Sequence, residues 1–265
     1  MTAIAASLVK ELRDQTGAGM MDCKRALQET GGDLEAARRL LRERGMAQAA
    51  KRAGRETREG KVAYRVEGGT GVIVGVGCET EPVANNDEFL AFAAKVLEAI
   101  WAGGVGAEQE LEEERQALAA RLGENVVIVS PTRFEAVAGG VIAGYAHPPA
   151  NKLGALVHLR GGDAALARKV AMQVAAAAPQ WIGREDVPEE IVAAERDIYR
   201  SSDELQGKPE QAKEKIVEGM LAKRFYAQQV LNEQEWIHEP SRTVAQALAE
   251  AGAEVVEFER IALAG

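Results

Sequence analysis

Cysteine and histidine are scarce: the 265 residues hold two of the first and three of the second, with aromatics at 5%. Cys23 and Cys78 lie far apart and form neither a CxxC metal site nor a disulfide framework, so a reducing compartment is expected and zinc is not. No apolar run approaches the roughly 18 residues that cross a bilayer. The opening Met1–Leu12 stretch carries Glu11 and reads as an amphipathic helix rather than a signal or transit segment. A cytoplasmic protein without membrane contact is expected.

Catalytic machinery is equally thin. There is no GxxxxGK loop and no GxGxxG after a strand. His147, His158 and His238 are far apart, and His158, set between Leu156-Val157 and Leu159, reads as a structural strand residue. Gly68, Gly69, Gly71, Gly75 and Gly77 fall within or between strand-like segments, where a bulge or close backbone approach explains them. The acids from Glu110 to Glu114 lie beside Arg115 and read as a solvated helix face. No nucleophile with a base and an orienting group is legible. No catalytic residue, cofactor or metal ligand is assigned, and the chain is expected not to be an enzyme.

What the sequence does have is an uneven charge. Its net charge of -9 hides 11 Lys/Arg against 7 Asp/Glu in residues 1–55 and 21 against 34 in the rest, a basic head on an acidic body. Arg38–Arg58 carries eight Lys/Arg and two acids but no interleaved aromatics, so direct nucleic-acid binding is not expected.

Apolar residues then divide the chain. Ile4, Leu8, Val9 and Leu12 recur at helical spacing over residues 3–14, Thr16-Gly17-Ala18-Gly19 interrupts, and Met20–Glu29 resumes with Met20, Cys23, Ala26 and Leu27. Gly31-Gly32-Asp33 ends that helix and caps a third, Leu34–Arg44, which Gly45 is expected to stop. Helical Met46–Ala53 leads into a charged, glycine-bounded linker, Gly54–Gly60. Residues 1–54 are thus a three-helix docking head with a linker helix.

Beyond it, Lys61–Val66 and Gly71–Cys78 flank Glu67-Gly68-Gly69-Thr70 as a hairpin, and Asn86 caps a helix from Asp87 to Trp101. Strand, strand, helix returns at Gly139–Tyr145, Gly154–Leu159 and Ala164–Ala178, a weak internal repeat. An α+β core of two related subdomains with antiparallel sheets is expected, the first at 55–138 and the second at 139–187 and 233–265. Residues 188–232 interrupt the second with Ile191, Ile198 and Leu205 at seven-residue steps, a Gln206-Gly207-Lys208-Pro209 turn, then Ala212, Ile216 and Met220. This reads as an inserted antiparallel coiled-coil arm. Ser241 is expected to cap a short helix through Ala251, before a final strand Glu254–Leu263.

Three places invite contact. Cys78–Phe89 is a polar turn whose Thr80, Glu81, Pro82 and Val83 form a tip of fixed proline geometry. Arg121–Asn125 is a second corner, with Leu122 and Gly123 ending a helix. Both read equally well as ordinary helix caps. His147 stands at a strand end entering Pro148-Pro149, an edge suited to contact.

Leu8–Leu27, continued by Gly31–Ala37 and Ala49–Arg55, resembles the opening signature and linker of the translation elongation factor Ts family. The likeness runs on through Cys78-Glu79-Thr80, Leu122–Asn125, Gly144–His147, Gly207-Lys208-Pro209, Ile216–Met220 and Phe258-Glu259-Arg260. The resemblance implies a ubiquitin-associated-like head, two related α+β subdomains and a coiled-coil arm. It also implies a partner, elongation factor Tu, gripped at its G domain and the adjoining domain. Contact would loosen the magnesium and phosphate site, so that GDP leaves and GTP enters without covalent chemistry. Association of two copies is left open.

Carried over position by position, the resemblance sets Met20, Met21 and Lys24 on the partner's G domain, the thioethers on an apolar surface and the ammonium on a carboxylate. One of the two methionines is expected to fill the head's own core. Thr80–Val83 would be the wedge, with Leu122, Gly123 and His147 contacting the same side of the partner. Here the sequence departs from the family, whose Thr-Asp-Phe-Val is Thr80-Glu81-Pro82-Val83. Proline buries far less than the roughly 150 Å² of an aromatic ring, so much of the push is removed. A runner-up reading follows: an elongation factor Tu-binding chaperone or assembly subunit with weakened exchange.

Overall fold

The computed structural model describes residues 4–263; the parts of the expected first helix and terminal segment that fall on 1–3 and 264–265 lie outside the described residues. Three helices open the chain: α1 (Ala6–Thr16), α2 (Met20–Glu29) and α3 (Leu34–Arg52). Their apolar stripes meet, burying Val9, Leu12, Cys23, Ala26, Leu27 and Ala37 together, with Leu8, Leu34, Leu40 and Leu41 packed around them. Gly17 leaves α1 at φ +66° while its N–H donates to the Arg13 carbonyl, a left-handed cap that favours glycine. Asp33 caps α3 by accepting from the Ala36 N–H at 2.9 Å.

After the head come β1 (Glu59–Glu67), β2 (Thr70–Cys78), α4 (Glu81–Ala84), α5 (Asp87–Gly103), α6 (Glu112–Leu122) and β3 (Val127–Glu135). Gly68 and Gly69, at φ +59° and +87°, supply the two successive positive φ values of a tight hairpin turn. Asn86 caps α5 by accepting from the Glu88 and Phe89 N–H groups.

Gly45 does not stop α3, contrary to expectation. A Cβ on Gly45 would lie 2.9 Å from the Cβ of Ala120 on α6, so glycine marks where two helices cross closely. Its helix penalty of about 1 kcal/mol relative to alanine does not end a helix held by such packing.

β3 was absent from the sequence expectation. Ser130 takes φ +45° and Pro131 follows it inside the strand. Proline lacks a ladder donor and is confined to edges and bulges, and β3 is the edge of the order β1-β2-β3.

A second sheet contains β4 (Gly140–Ala146), β5 (Leu153–Arg160) and β6 (Glu254–Ala262) in the order β4-β5-β6, both pairs antiparallel. Gly140 faces Arg160, Leu153 faces Ala262, and a bulge falls between His158 and Leu159. Helix α7 (Ala164–Ala177) buries Ala167, Val170, Ala171 and Val174 against Ala155, Val157 and Leu159 of β5.

Between β5 and β6 the chain also forms α8 (Glu189–Arg200), α9 (Glu210–Met220), a short π-helical stretch through Tyr226, α10 (Ala227–Gln229) and α11 (Val244–Glu250). The cap of α11 is Thr243 rather than Ser241. Thr243 Oγ1 accepts from the Gln246 N–H, and Gln246 Oε1 accepts from the Thr243 N–H, a reciprocal box that Ser241 is two residues too early to make.

Helices α8 and α9 run antiparallel, with Arg196 bonded to Glu218 and Arg200 to Glu214. Most of the expected seam positions face inward: Leu205 is buried with Val217, Leu221 and Phe225, and Ile191 and Ile216 pack on them, but Ile198 is 60% exposed, and Val192 and Tyr199 pack there as well. One residue turns a helix face by about 100°, so Tyr199 takes the inward place that the seven-residue step gave to Ile198.

The chain divides into two compact units: residues up to Val62 with Val74–Pro131 and from Leu263, and Ala63–Ile73 with Thr132–Ala262. Among the described residues no helix is long and apolar enough to cross a membrane.

Candidate partner-contact site

On α2, alternation of buried and exposed positions decides which side chains can meet a partner. Cys23, Ala26 and Leu27 face inward, and Lys24 faces water. Met20 and Met21 are 50% and 61% exposed, so neither fills the head's core as one was expected to. Ala18, in the turn before α2, packs on that end of the core instead. The Cys23 thiol donates to the Ala18 carbonyl and Thr16 Oγ1 to that of Leu12, fixing the turn from which the two methionines project.

The two polar corners of the first unit are joined. Glu124, one residue past Gly123, turns its carboxylate onto the chain leaving β2: Oε2 accepts the N–H groups of Glu79 and Thr80, both at 3.0 Å, and Oε1 accepts the Thr80 hydroxyl at 2.5 Å. Glu79 reciprocates, its Oε1 accepting the Asn125 N–H at 2.7 Å. The Asn125 amide donates to the Arg55 carbonyl at 2.9 Å, and Arg55 donates to Glu79 Oε2 at 3.3 Å. Gly123, at φ +76°, ends α6 and makes the sharp reversal that lets Glu124 reach.

This network presents Thr80–Val83. Glu81 and Pro82 are exposed in the first turn of α4, Val83 and Leu122 are half-buried, and Ala84 is buried beneath. Under the turn, the buried Cys78 thiol donates to the Thr80 carbonyl at 3.4 Å. Burial, and then the charge of Glu124, pushes that thiol from 9.0 up to about 12, so it stays protonated and unreactive at neutral pH. Arg121 pairs with Glu88 at 2.8 Å, and its chain crosses Gly17, where a Cβ would lie 2.8 Å from Arg121 Cδ. The end of α6 therefore touches the head's first turn.

A groove of about 660 Å³ lies between the head and α6. Its volume suits a small molecule, but Arg25, Arg42, Arg44 and Arg121 on its walls are bonded to Asp22, Glu113, Glu29 and Glu88. Among the described residues no group of three or more His, Cys, Asp or Glu is arranged to hold a metal.

His147 belongs to the second unit. It is exposed at the end of β4, its Nδ1 hydrogen-bonded to the Tyr145 hydroxyl at 2.7 Å, and its N–H donates to the Leu153 carbonyl. His158 is structural, as read from its strand. The Val137 N–H donates to its Nε2, which puts the ring proton on Nδ1, facing Glu257 Oε1 at 3.1 Å. The parts played by Glu79, Glu124 and Asn125 were not foreseen, although all three lie in the segments singled out above. Gln173 and Gln234, buried and bonded to one another and to the Glu235, Ala177 and Gln228 carbonyls, carried no sequence signal.

Comparison with known proteins gives the family. A family profile described as "Elongation factor TS" matches residues 79–264. The chain is 44% identical to elongation factor Ts of Idiomarina loihiensis over 97% of its own length and 90% of that protein's. It is 43% identical to elongation factor Ts of Escherichia coli strain K12, covering 98% and 91% of the two chains. The chain belongs to the elongation factor Ts family, whose members are translation elongation factors.

Proposed function

We propose that the chain releases GDP from elongation factor Tu, and so admits GTP, through contact alone. Met20, Met21 and Lys24 grip the G domain; Thr80, Glu81, Pro82 and Val83, backed by Leu122 and Gly123, press near the magnesium and phosphate site; His147 adds a contact from the second unit. No bond is made or broken in the chain, and it works in the cytoplasm beside its partner. The observation that carries the reading is the junction of the two corners through Glu124, because a wedge must hold its shape under load.

On this reading the parts divide as a ubiquitin-associated-like head at 1–54, a first α+β subdomain at 55–138, a related second at 139–187 and 233–265, and a coiled-coil arm at 188–232. Exchange needs only that the chain bind nucleotide-free partner better than loaded partner, since the weakening is mutual. The alternative of a chaperone without exchange finds no support among the relatives.

Stopped-flow release of a fluorescent GDP from elongation factor Tu tests this. Release should accelerate when the chain is added, and Pro82→Phe should accelerate it further, on the order of tenfold if roughly 60 Å² more apolar surface is pressed into the partner. Lys24→Ala should instead raise the concentration needed by roughly thirtyfold or more, about 2 kcal/mol, if its carboxylate is left buried and unpaired. A release rate indifferent to the chain defeats the proposal.

A further inference from the structure

The reading above names the side chains that touch the partner but not what keeps the touching turn in place. Thr80–Val83 leads into α4, a single helical turn closed by the Ala84, Asn85 and Asn86 N–H groups donating to the Thr80, Glu81 and Val83 carbonyls. So short a helix is marginal without outside support. Thr80 is its N-cap residue, yet the Thr80 side chain caps nothing in α4. Its hydroxyl is turned away onto Glu124 Oε1, and the N–H groups of Glu79 and Thr80 converge on Glu124 Oε2. One carboxylate thus takes three donors from two successive residues. Charge-assisted bonds of this kind are about twice as strong as neutral ones.

The same segment is fastened on its other side. Glu79 accepts from the Asn125 N–H and from Arg55, while Asn125 donates to the Arg55 carbonyl in the segment between α3 and β1. Three stretches of chain, around residues 55, 79 and 124, meet in one polar knot. α6 ends at Leu122, and Gly123 lets the chain turn so that Glu124 points back.

We infer that Glu124 is a positioning residue for exchange: it fixes the backbone of the partner-contacting turn and touches no nucleotide itself. The inference rests on the exchange reading. Without Glu124 the turn would still be present and still meet the partner, but it would yield instead of displacing. Its loss should therefore lower the maximal rate of GDP release while sparing the grip of the head. A glutamine can make the same bonds: its amide oxygen accepts from both N–H groups, and its NH₂ donates to Thr80 Oγ1, whose own proton turns away. The glutamine bonds give up the charge assistance but keep the geometry, so Glu124→Gln should work where Glu124→Ala does not.

The test measures fluorescent-GDP release from elongation factor Tu across a range of concentrations of the full chain, together with amide hydrogen exchange of the free chain at Glu79 and Thr80. Glu124→Ala should lower the saturating release rate by about tenfold and move the half-saturating concentration by less than about threefold, the pattern of a transition-state loss without a binding loss. Its Glu79 and Thr80 amides should exchange faster. Glu124→Gln should stay within about threefold of the parent rate and keep the two amides protected. An unchanged saturating rate in a folded Glu124→Ala chain overturns the inference, as does equal impairment of the Ala and Gln variants with the amides still protected. Should Glu124→Ala fail to fold, Glu124→Asp, one methylene short of the same donors, takes its place with the same expectation. If the parent chain itself does not speed release, the exchange reading falls, and unchanged amide protection in the variant would separately overturn the clamp.

Discussion

On α2 the exposed Met20, Met21 and Lys24 stand on a regular helix whose inner stripe of Cys23, Ala26 and Leu27 is fully buried, whereas Thr80–Val83 takes its shape from N–H groups gathered by one carboxylate. The first surface stands on a packed helix, the second on a backbone turn that a polar network holds. Side chains on a packed helix can be exchanged one at a time while the helix stays. A backbone turn held by a polar knot changes shape when any strand of the knot is cut. On the proposed reading, docking and displacement can therefore be damaged separately.

The largest effect is expected at Leu27. Its side chain is fully buried between the head helices, and Leu27→Ala should destabilise the head by about 2–5 kcal/mol through lost burial and a residual cavity. Denaturant unfolding of the variant measures this, and docking should weaken with it. A loss below about 1 kcal/mol would mean that the head's helices do not depend on the shared core, and the contrast with the corner would lose its basis.

Gly45 comes next because it joins the two regions. Alanine gains about 1 kcal/mol in helix propensity, yet its Cβ would sit 2.9 Å from the Ala120 Cβ, which is tied to its own backbone and cannot swing aside. Overpacking of this kind costs about 1–3 kcal/mol, so Gly45→Ala should be net destabilising by up to about 2 kcal/mol. A raised melting temperature would show that α3 and α6 are free to part.

How much of this was legible in the sequence depended on the range of the signal. Local chemistry read well: the Gly17 break, the Asp33 and Asn86 caps, the Gly68-Gly69 hairpin turn and the Gln206–Pro209 turn are all where spacing put them. Signals that depend on a neighbour read poorly. Gly45 looked like a stop because Ala120 is 75 positions away, and β3 was hidden by Ser130-Pro131 because only its edge position makes that proline tolerable. In the arm the seven-residue spacing read correctly at Ile191 and Leu205 and missed at Ile198, where the adjacent Tyr199 turns inward instead. At the site, the exposed side chains could be singled out from their segments. The bonds from Glu124 could not, because they span more than 40 residues.

An effect confined to the corner and to alkaline pH concerns the thiol beneath it. Burial raises the Cys78 thiol from 9.0 to about 12, so folding favours its protonated form. Its contribution is whole below pH 9 and falls away as pH rises from about 9 to 12, where the unfolded chain has lost a proton that the folded chain keeps. Comparing the pH dependence of unfolding with that of Cys78→Ala should show the alkaline slope shrink in the variant. An identical slope would mean that water already reaches the thiol and that the knot above it is open.

The smallest expected effect bears most directly on the surface that stands on a packed helix. Met20 and Met21 each expose half or more of their area and take no part in the buried stripe, so truncating either should move stability by no more than about 0.5 kcal/mol. If the methionines serve the partner, that small change must accompany a measurable loss of docking, because flexible thioethers gain their contact area only against another surface. Unfolding curves and partner titrations on Met20→Ala and Met21→Ala, run on the same samples, separate the two quantities. Unchanged stability with weakened docking is the outcome expected. Lost stability with unchanged docking would return one methionine to the head's own packing and leave Lys24 to hold the G domain without them.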